Sequence, residues 1–195
     1  MNEDWQRHLD TLRVRVEPVS TLDTEALTEL TLRRMSELVQ RDLSHPCLAE
    51  WTSTIKLNTP GLRQRDLIHT TWRLIRGSVR YVDDSELVLG WHKQSVAEAM
   101  DCEVLVSPAR LVSMAIPSGD CDDFAMLGKC LLKRVGVESV WVTIKGNPYE
   151  PSEWSHVYLS AWDGEKDEWL SFDGSHGKYC GWETENQWEK REWDI

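Results

Sequence analysis

One cysteine stands where the sequence predicts the first turn of a helix. Cys121 follows a glycine turn in the segment Gly119-Asp120-Cys121-Asp122-Asp123. The apolar residues after it recur at helical spacing, namely Phe124, Leu127, Leu131 and Val135. Gly136 then supplies a typical C-terminal stop. Unpaired N–H groups and the positive end of the helix dipole favour a thiolate there. The pattern therefore indicates a nucleophilic cysteine.

Two later segments supply the partners that a nucleophilic cysteine requires. His156 stands at the start of one predicted strand, and Asp173 stands at the end of the next. Taken alone, each has an ordinary interpretation: a histidine on a strand surface, and an aspartate in a turn with Gly174. His69, within a predicted helix, is interpreted as structural, and His176 is less well placed than His156.

The order of these residues resembles that of the transglutaminase-like cysteine enzymes. The likeness rests on Gly-Asp-Cys-Asp-Asp, the apolar helix, His156-Val157-Tyr158 and Phe172-Asp173-Gly174, and it reaches upstream to residues 75–84. It spans roughly residues 20–180 and is strongest toward the small stand-alone members of bacteria and phages. The resemblance implies an α+β, papain-like fold, with helices in the N-terminal half and a cysteine-bearing helix packed on an antiparallel sheet.

The same resemblance implies thiol-dependent acyl transfer on an amide of a protein or peptide, without a cofactor. Cys121 would attack, His156 would act as general base and then acid, and Asp173 would orient the imidazole. Water or an amine would resolve the thioester, so protease, amidase, deamidase and crosslinking activities all remain open. The Cys121 N–H is one expected oxyanion donor, and Trp91 is a candidate for the indole donor of larger family members.

Two other classes of function compete with this hypothesis. A structural or assembly protein, as in a phage particle, would keep the fold and bind through a tryptophan-rich acidic surface, but the intact Cys-His-Asp set argues against it. Arylamine acyltransferases share the order of the three residues. That family's Arg-Gly-Gly lead into the cysteine is not found here, and the chain is short for it.

The carboxylates beside Cys121 invite a metal interpretation. The spacing of Asp120, Asp122 and Asp123 is not that of a calcium loop, so we expect them to cap the helix and complement its dipole. Their negative charge also raises the pKa of a neighbouring thiol. An imidazolium at His156 must offset that effect, and the sequence does not decide which effect is larger.

Composition narrows the classes of partner and compartment. The net charge of −11 repels phosphate backbones, which argues against nucleic acid. No apolar run approaches ~18 residues, so no membrane span is expected. The cysteines are odd in number, scattered and without a C-x-x-C pair, which argues for a reducing, cytoplasmic location and against a structural zinc site; they are Cys47, Cys102, Cys121, Cys130 and Cys180.

The predicted organisation is an N-terminal arm (1–22), one transglutaminase-like domain (23–182) and an acidic tryptophan-containing tail (183–195). Within the arm, Val14, Val16 and Val19 are weak strand signals. We expect the tail to be a surface helix or an arm packed by its tryptophans.

Besides the cysteine-bearing helix, the sequence predicts three helices in the domain. The first runs from Asp23 or Thr24 to about Leu43, the second follows a turn at Pro60-Gly61, and the third runs from Ser107-Pro108 to Met114. The inner side of the first should carry Leu27, Leu30, Met35 and Leu38, and the stripe of the second should be Ile68, Trp72, Ile75 and Val79. A half-buried strand is expected around Val140–Ile144.

A register prediction follows if His156 and Asp173 act as a pair. Directly facing positions on adjacent antiparallel strands would place their Cβ atoms about 4.5–5.5 Å apart. That register requires a turn centred on Gly164-Glu165, or a four-residue loop closed by Trp162 and Asp167. A turn centred on Asp163-Gly164 would place His156 opposite Ser171 instead.

Overall fold

The computed structural model describes residues 14–18, 24–86 and 102–195. Within these ranges the helices are α1 (Thr24–Asp42), α2 (Ala49–Leu57), α3 (Gln64–Ser78), α4 (Pro108–Val112) and α5 (Cys121–Arg134). The strands are β1 (Val14–Pro18), β2 (Arg80–Tyr81), β3 (Cys102–Val106), β4 (Ser118–Gly119), β5 (Ser139–Lys145), β6 (His156–Asp163), β7 (Glu168–Phe172) and β8 (Glu189–Trp193). Short 3₁₀ turns at Pro46–Leu48 and Pro60–Leu62 flank α2.

The predicted α+β class is confirmed in this coarse form. Strands β7, β6, β5 and β8 form one antiparallel sheet in that order. Two smaller pairs lie outside it: β1 with β3, antiparallel, and β2 with β4, parallel. The β2–β4 pair sets Tyr81 opposite Gly119, shortly before α5 begins.

Helix α5 is the central element of the core. It packs against β6, α1 and α3, and its predicted apolar stripe is buried at Phe124, Leu127 and Leu131. A Cβ atom at Gly128 would lie only 2.8 Å from the Phe172 ring, so the sheet sits directly on the helix backbone at that point.

The helix ends as predicted, at Gly136, whose φ is +82°. The N–H of Gly136 donates to the Lys133 carbonyl (3.2 Å) and that of Val137 to the Leu132 carbonyl (2.9 Å). These are the paired bonds of a Schellman C-cap, which needs a left-handed residue at this position.

Helix α1 occupies the predicted range, but the set of residues that it buries differs from the predicted one. Met35 and Leu38 are buried as expected, together with Leu32. Leu27 and Leu30 are only half-buried, because a cleft opens beside the first turns of the helix and Leu27 lines it. Helix α2 was not foreseen from the sequence.

Helices α3 and α4 match their predictions. Ile68, Ile75 and Val79 are buried. The side chain of Ser107 caps α4 by accepting a hydrogen bond from the Arg110 N–H (3.5 Å).

Strand β5 is covered on both faces, not half-buried as expected. Trp141 on one face is fully buried in the main core, and Val142 and Ile144 on the other pack with Tyr158. Strand β8 pairs with β5, so the surface-helix alternative for the tail is wrong. The indole of Trp193 donates to Thr143 Oγ1 (2.8 Å). A strand here satisfies the backbone groups of β5, which would otherwise form an open sheet edge.

Other expectations fall partly outside the described residues. Strand β1 covers the positions of Val14 and Val16, whereas Val19 and most of the arm 1–22 lie outside. Trp91 also lies outside them. None of the described helices combines the length and the apolar character needed to cross a bilayer.

Candidate active site

Cys121 is the first residue of α5, as predicted. The chain reaches it through β4, where Gly119 passes directly over the side chain of Asp123. A Cβ atom at position 119 would lie 2.2 Å from Asp123 Oδ2, so no larger residue fits there without a shift of the chain. The Cys121 side chain is half-buried, which leaves the sulfur accessible from a cleft.

His156 and Asp173 are joined by a hydrogen bond. His156 Nε2 lies 2.9 Å from Asp173 Oδ2, and the two side chains are 14% and 7% exposed. His156 is the first residue of β6, and Asp173 directly follows the last residue of β7. The start of β6 and the end of β7 therefore meet at the same end of the sheet.

The predicted register of these strands is wrong, although the pair forms. Leu159 faces Phe172 and Ser160 faces Ser171, so continuing the register places Asp173 opposite Tyr158 and not His156. The two residues still share one face, because the offset equals one two-residue repeat. The imidazole reaches diagonally to the carboxylate.

The loop between β6 and β7 explains the shift. It holds residues 164–167 and is closed by Asp163 and Glu168. Asp163 Oδ1 accepts the Glu165 N–H (3.1 Å), the Asp163 carbonyl accepts the Lys166 N–H (3.2 Å), and Asp167 takes a φ of +57°. The side chain of Asp163 thus organises a longer loop than the local Asp-Gly preference predicts.

Asp173 is surrounded by donors. Its Oδ1 accepts the Ser175 N–H (3.0 Å), the Ser175 hydroxyl (2.9 Å) and the His176 N–H (2.9 Å). Burial by itself raises the pKa of Asp173, but the hydrogen bond and charge of His156 and the bonds from His176 and Ser175 together hold it below its ordinary value. The carboxylate is consequently ionised at neutral pH.

Helix α3 anchors the turn that carries Asp173. The indole N–H of Trp72 donates to the Asp173 carbonyl at 2.7 Å, and the guanidinium of Arg76 donates to the Ser175 carbonyl. Gly177 lies so close that a Cβ there would be 2.3 Å from the Asp173 carbonyl oxygen. Sequence reasoning assigned Trp72 to a core stripe, and helical spacing alone carries no signal for this second role.

A second histidine lies in the site, contrary to its low ranking from the sequence. The exposed ring of His176 lies edge-on to His156 and to Tyr81, with ring centroids 4.9 Å and 4.8 Å apart. Burial and then the charge of His156 lower the pKa of His176. Tyr81 packs on Phe124 (6.4 Å), and burial and then the neighbouring Cys121 and Asp120 raise its pKa, so its hydroxyl stays protonated.

The acidic residues beside Cys121 are more buried than the capping interpretation assumed. Asp123 is fully buried, and its Oδ1 accepts the Val106 N–H at 2.7 Å. Asp120 holds the N-cap position, and hydrogen bonding to the backbone N–H groups of Asp122 and Asp123 opposes the effect of burial on its pKa. Burial raises the pKa of Asp123, and the charges of Asp120 and Asp84 raise it further. Burial also raises the pKa of Asp120. Both shifts reduce the negative charge beside the thiol.

The three predicted residues share one cleft. Cys121, His156 and Asp173 line a cleft of about 510 Å³, which Asn147 and Trp182 also line. Cys121 and His156 also line a second cleft of about 340 Å³ that runs along α1. Cys121 and His156 thus lie where the two clefts meet.

The other described thiols lie in different surroundings. Cys130 and Cys180 are buried, and burial raises the pKa of each to about 12, in agreement with an inert role. Cys47 is half-buried, with its Sγ 2.9 Å from His45 Nδ1, a contact that the sequence analysis missed.

Comparison with known proteins gives distant structural likeness only. No family profile and no curated protein sequence matches the chain. Among solved structures, a "putative cysteine protease" from Cytophaga hutchinsonii is similar at 16% identity and a TM-score of 0.44, over 84% of this chain and 49% of the other. A structure described as a TGase is similar at 10% identity and a TM-score of 0.40, over 90% and 48%. The chain spans about half the length of each.

Proposed function

We propose that the protein is a transglutaminase-like thiol enzyme that transfers an acyl group from an amide of a protein or peptide. The observation that carries this proposal is the His156–Asp173 hydrogen bond of 2.9 Å in a cleft that Cys121 also lines. A nucleophile, a base and a group that orients the base are the parts that covalent acyl transfer requires. The sequence resemblance to transglutaminase-like enzymes supports the same assignment.

In the proposed first step, the Cys121 thiol gives its proton to His156 and the sulfur attacks the amide carbonyl carbon. Because Asp173 accepts from Nε2–H, the lone pair of neutral His156 lies on Nδ1, and that nitrogen is assigned the proton transfer. The C–N bond then breaks as His156 returns the proton to the leaving amine. The product is a Cys121 thioester and a free amine.

In the second step, water or an amine attacks the thioester carbonyl, and His156 removes the proton of the attacking group. The C–S bond then breaks, and the Cys121 sulfur leaves and takes that proton back from His156. Water releases a carboxylic acid, whereas an amine forms a new amide. The two clefts that meet at Cys121 allow the acyl part and the leaving or entering group to occupy different sides of the sulfur.

The oxyanion of the tetrahedral intermediate needs N–H donors. The backbone N–H of Cys121, at the N-terminus of α5, is assigned as one of them. The dipole of α5 adds a favourable potential at the same point.

Alkylation tests the nucleophile assignment directly. Native protein is treated with limiting iodoacetamide, and labelled cysteines are located by mass spectrometry. We expect Cys121 to react fastest, because Cys130 and Cys180 are buried thiols with raised pKa values. Faster labelling of another cysteine in the folded protein would remove the main support for the proposal.

A turnover assay then separates enzyme from assembly protein. Glutamine-containing peptides and proteins are incubated with the wild type and with Cys121→Ala, with and without a primary amine. Release of ammonia with uptake of water indicates deamidation. Cleavage of the peptide chain indicates proteolysis, and incorporation of the added amine indicates crosslinking. If the wild type and Cys121→Ala are equally inactive on all substrates, the structural or assembly hypothesis is favoured.

A further inference from the structure

The Asp173 end of the cleft contains more ligands than acyl transfer uses. His156, Asp173 and His176 each offer one ligand atom, and these three atoms lie within 4.8 Å of one another. Acyl transfer as proposed uses His156 and Asp173 and assigns no role to His176. Two imidazoles and a carboxylate form the donor set of three-ligand zinc sites that keep a fourth position open.

We propose that His156, Asp173 and His176 form a binding site for a zinc ion, which holds the enzyme in an inactive state. Zinc–nitrogen and zinc–oxygen distances of about 2.0–2.1 Å place tetrahedral ligands about 3.3 Å apart. His156 Nε2 and Asp173 Oδ2, at 2.9 Å, are already near that separation.

The third ligand lies on the side chain with the most freedom to move. His176 is exposed, its ring lies edge-on to that of His156, and its Nδ1 lies 3.1 Å from the Ser175 hydroxyl. Its ligand atom lies within 4.8 Å of those of His156 and Asp173, so rotation about the side-chain bonds can bring it to a zinc-bound separation. The main chain of His176 is fixed, because its N–H donates to Asp173 Oδ1.

The outer partners that orient metal ligands are also present. Asp173 Oδ1 is held by Ser175, and the Asp173 carbonyl is held by Trp72. Such outer hydrogen bonds fix the direction of a ligating side chain and commonly contribute 10–100-fold in metal affinity, in order of magnitude. All three proposed ligand residues line the cleft that Cys121 also lines.

The inhibitory consequence rests on the proposed function. A zinc ion bound to His156 and Asp173 occupies the proposed base and the group that orients it. The base cannot then activate the Cys121 thiol while the ion is bound. Zinc binding itself does not depend on any catalytic activity of the site. Binding and inhibition can therefore be measured separately.

The experiment compares three proteins: the wild type, His176→Gln, and His69→Gln as a control for loss of a histidine in α3. Zn²⁺ is titrated by calorimetry, and Co²⁺ is titrated by visible absorption, whose intensity reports tetrahedral coordination. We expect one ion per chain in the wild type and in His69→Gln. Affinity should fall ~10-fold or more in His176→Gln, which loses a ligand outright.

Alkylation of Cys121 gives the second readout. Zn²⁺ should slow the reaction in the wild type, a chelator should restore it, and His176→Gln should escape at the same Zn²⁺ concentration. Equal Zn²⁺ affinity and equal protection in the wild type and His176→Gln would overturn the proposal, because Cys121 and His156 alone would then hold the ion. Absence of Zn²⁺ binding to the wild type would overturn it too.

The two proposals fail in distinguishable ways. If Cys121 is unreactive without Zn²⁺ but the protein binds Zn²⁺ through His176, the catalytic proposal is rejected and the zinc site stands. A reactive Cys121 that Zn²⁺ does not protect removes the zinc proposal alone. Asp173→Asn, which removes a different ligand, must weaken Zn²⁺ binding as well, and unchanged affinity there also overturns the zinc site.

Discussion

Two buried aspartates near Cys121 have opposite electrostatic environments. Asp173 accepts hydrogen bonds from His156, Ser175 and His176, and its pKa is held below the ordinary value. Asp123 is buried among other acidic groups, and its pKa is raised well above the ordinary value. The same residue type is thus held ionised beside His156, whereas burial and acidic neighbours favour the neutral form of Asp123.

The difference follows from the partners and not from burial, because both side chains are buried. Ionised Asp173 can stabilise an imidazolium at His156 and can fix the tautomer of the neutral imidazole. The raised pKa of Asp123 shifts this carboxyl toward its neutral form, which does not oppose a thiolate at Cys121. When the environments of two like groups shift their pKa values in opposite directions, the two groups can take different roles in one site.

The largest effect should come from removing the charge of Asp173. Asp173→Asn should slow Cys121 alkylation and any turnover by about 10²–10⁴-fold, because the imidazole loses its orienting carboxylate. Asp123→Asn, the matched change on the other aspartate, should alter the rate by less than about threefold, since it replaces a group already favoured neutral. Stopped-flow or quenched alkylation measures both. Equal losses would mean that Asp123 is charged in the native protein.

The close passage of Gly119 over Asp123 predicts the next effect. Gly119→Ala should lower the free energy of unfolding by about 1–3 kcal/mol, because its Cβ would meet the Asp123 carboxyl. Gly77→Ala is the control: no atom lies within 4 Å of a Cβ there. Since Gly77 lies inside α3, alanine should be neutral or stabilise by about 0.5–1 kcal/mol. Urea denaturation measures both, and an undisturbed Gly119→Ala would show that Asp123 can move away.

Trp72 offers a weaker perturbation of the Asp173 side. Trp72→Phe removes the indole donor to the Asp173 carbonyl and should slow Cys121 alkylation by about 3–10-fold, the value of one neutral hydrogen bond. Trp162→Phe is the control, because Trp162 lies in β6 and is not among the residues that line either cleft. Added to Asp173→Asn, the Trp72→Phe change should have little further effect. Full additivity of the two changes would mean that Trp72 acts independently of Asp173.

The smallest effects concern stability against pH, and they should have opposite signs. The lowered pKa of Asp173 stabilises the fold above its unfolded value near 3.8, and this contribution is lost as the pH falls below it. The stability cost of Asp173→Asn should therefore grow as the pH rises through that range.

The raised pKa of Asp123 works the other way. Above pH 3.8 the unfolded chain gains from ionising this group while the fold resists, so Asp123 contributes less stability as the pH rises toward its folded pKa. Asp123→Asn should become relatively more stabilising over the same interval. Urea titrations at a series of pH values measure both slopes, and slopes of the same sign would contradict the contrast between the two aspartates.

Local patterns predicted the parts of the site that depend on local physics. Helical spacing and terminal glycines located α5 and its Cys121 start, and strand alternation located β6 and the end of β7 at Asp173. The strand register was missed because the side chain of Asp163 organises the connecting loop. Periodicity describes faces of elements, and it does not report how a loop closes.

Features that depend on distant contacts were not predictable in this way. Trp72 and Arg76 support the Asp173 turn across about a hundred residues of sequence, and nothing near them in the chain marks that role. His176 was ranked low because it follows no strand pattern, yet the turn anchored on Asp173 brings it against His156. The tail joins the sheet because β5 needs a partner on its open side.

The order of strands in the sheet has a consequence during synthesis of the chain. Strand β5 lies between β6 and β8, so the sheet is complete only after residue 193 has left the ribosome. The thiol of Cys121 emerges well before His156 and Asp173. In the proposed function it has no base until β6 and β7 have paired. Pairings between distant segments form late and slowly. If the proposed function is right, the nascent chain therefore has no acyl-transfer activity until β6 and β7 have paired.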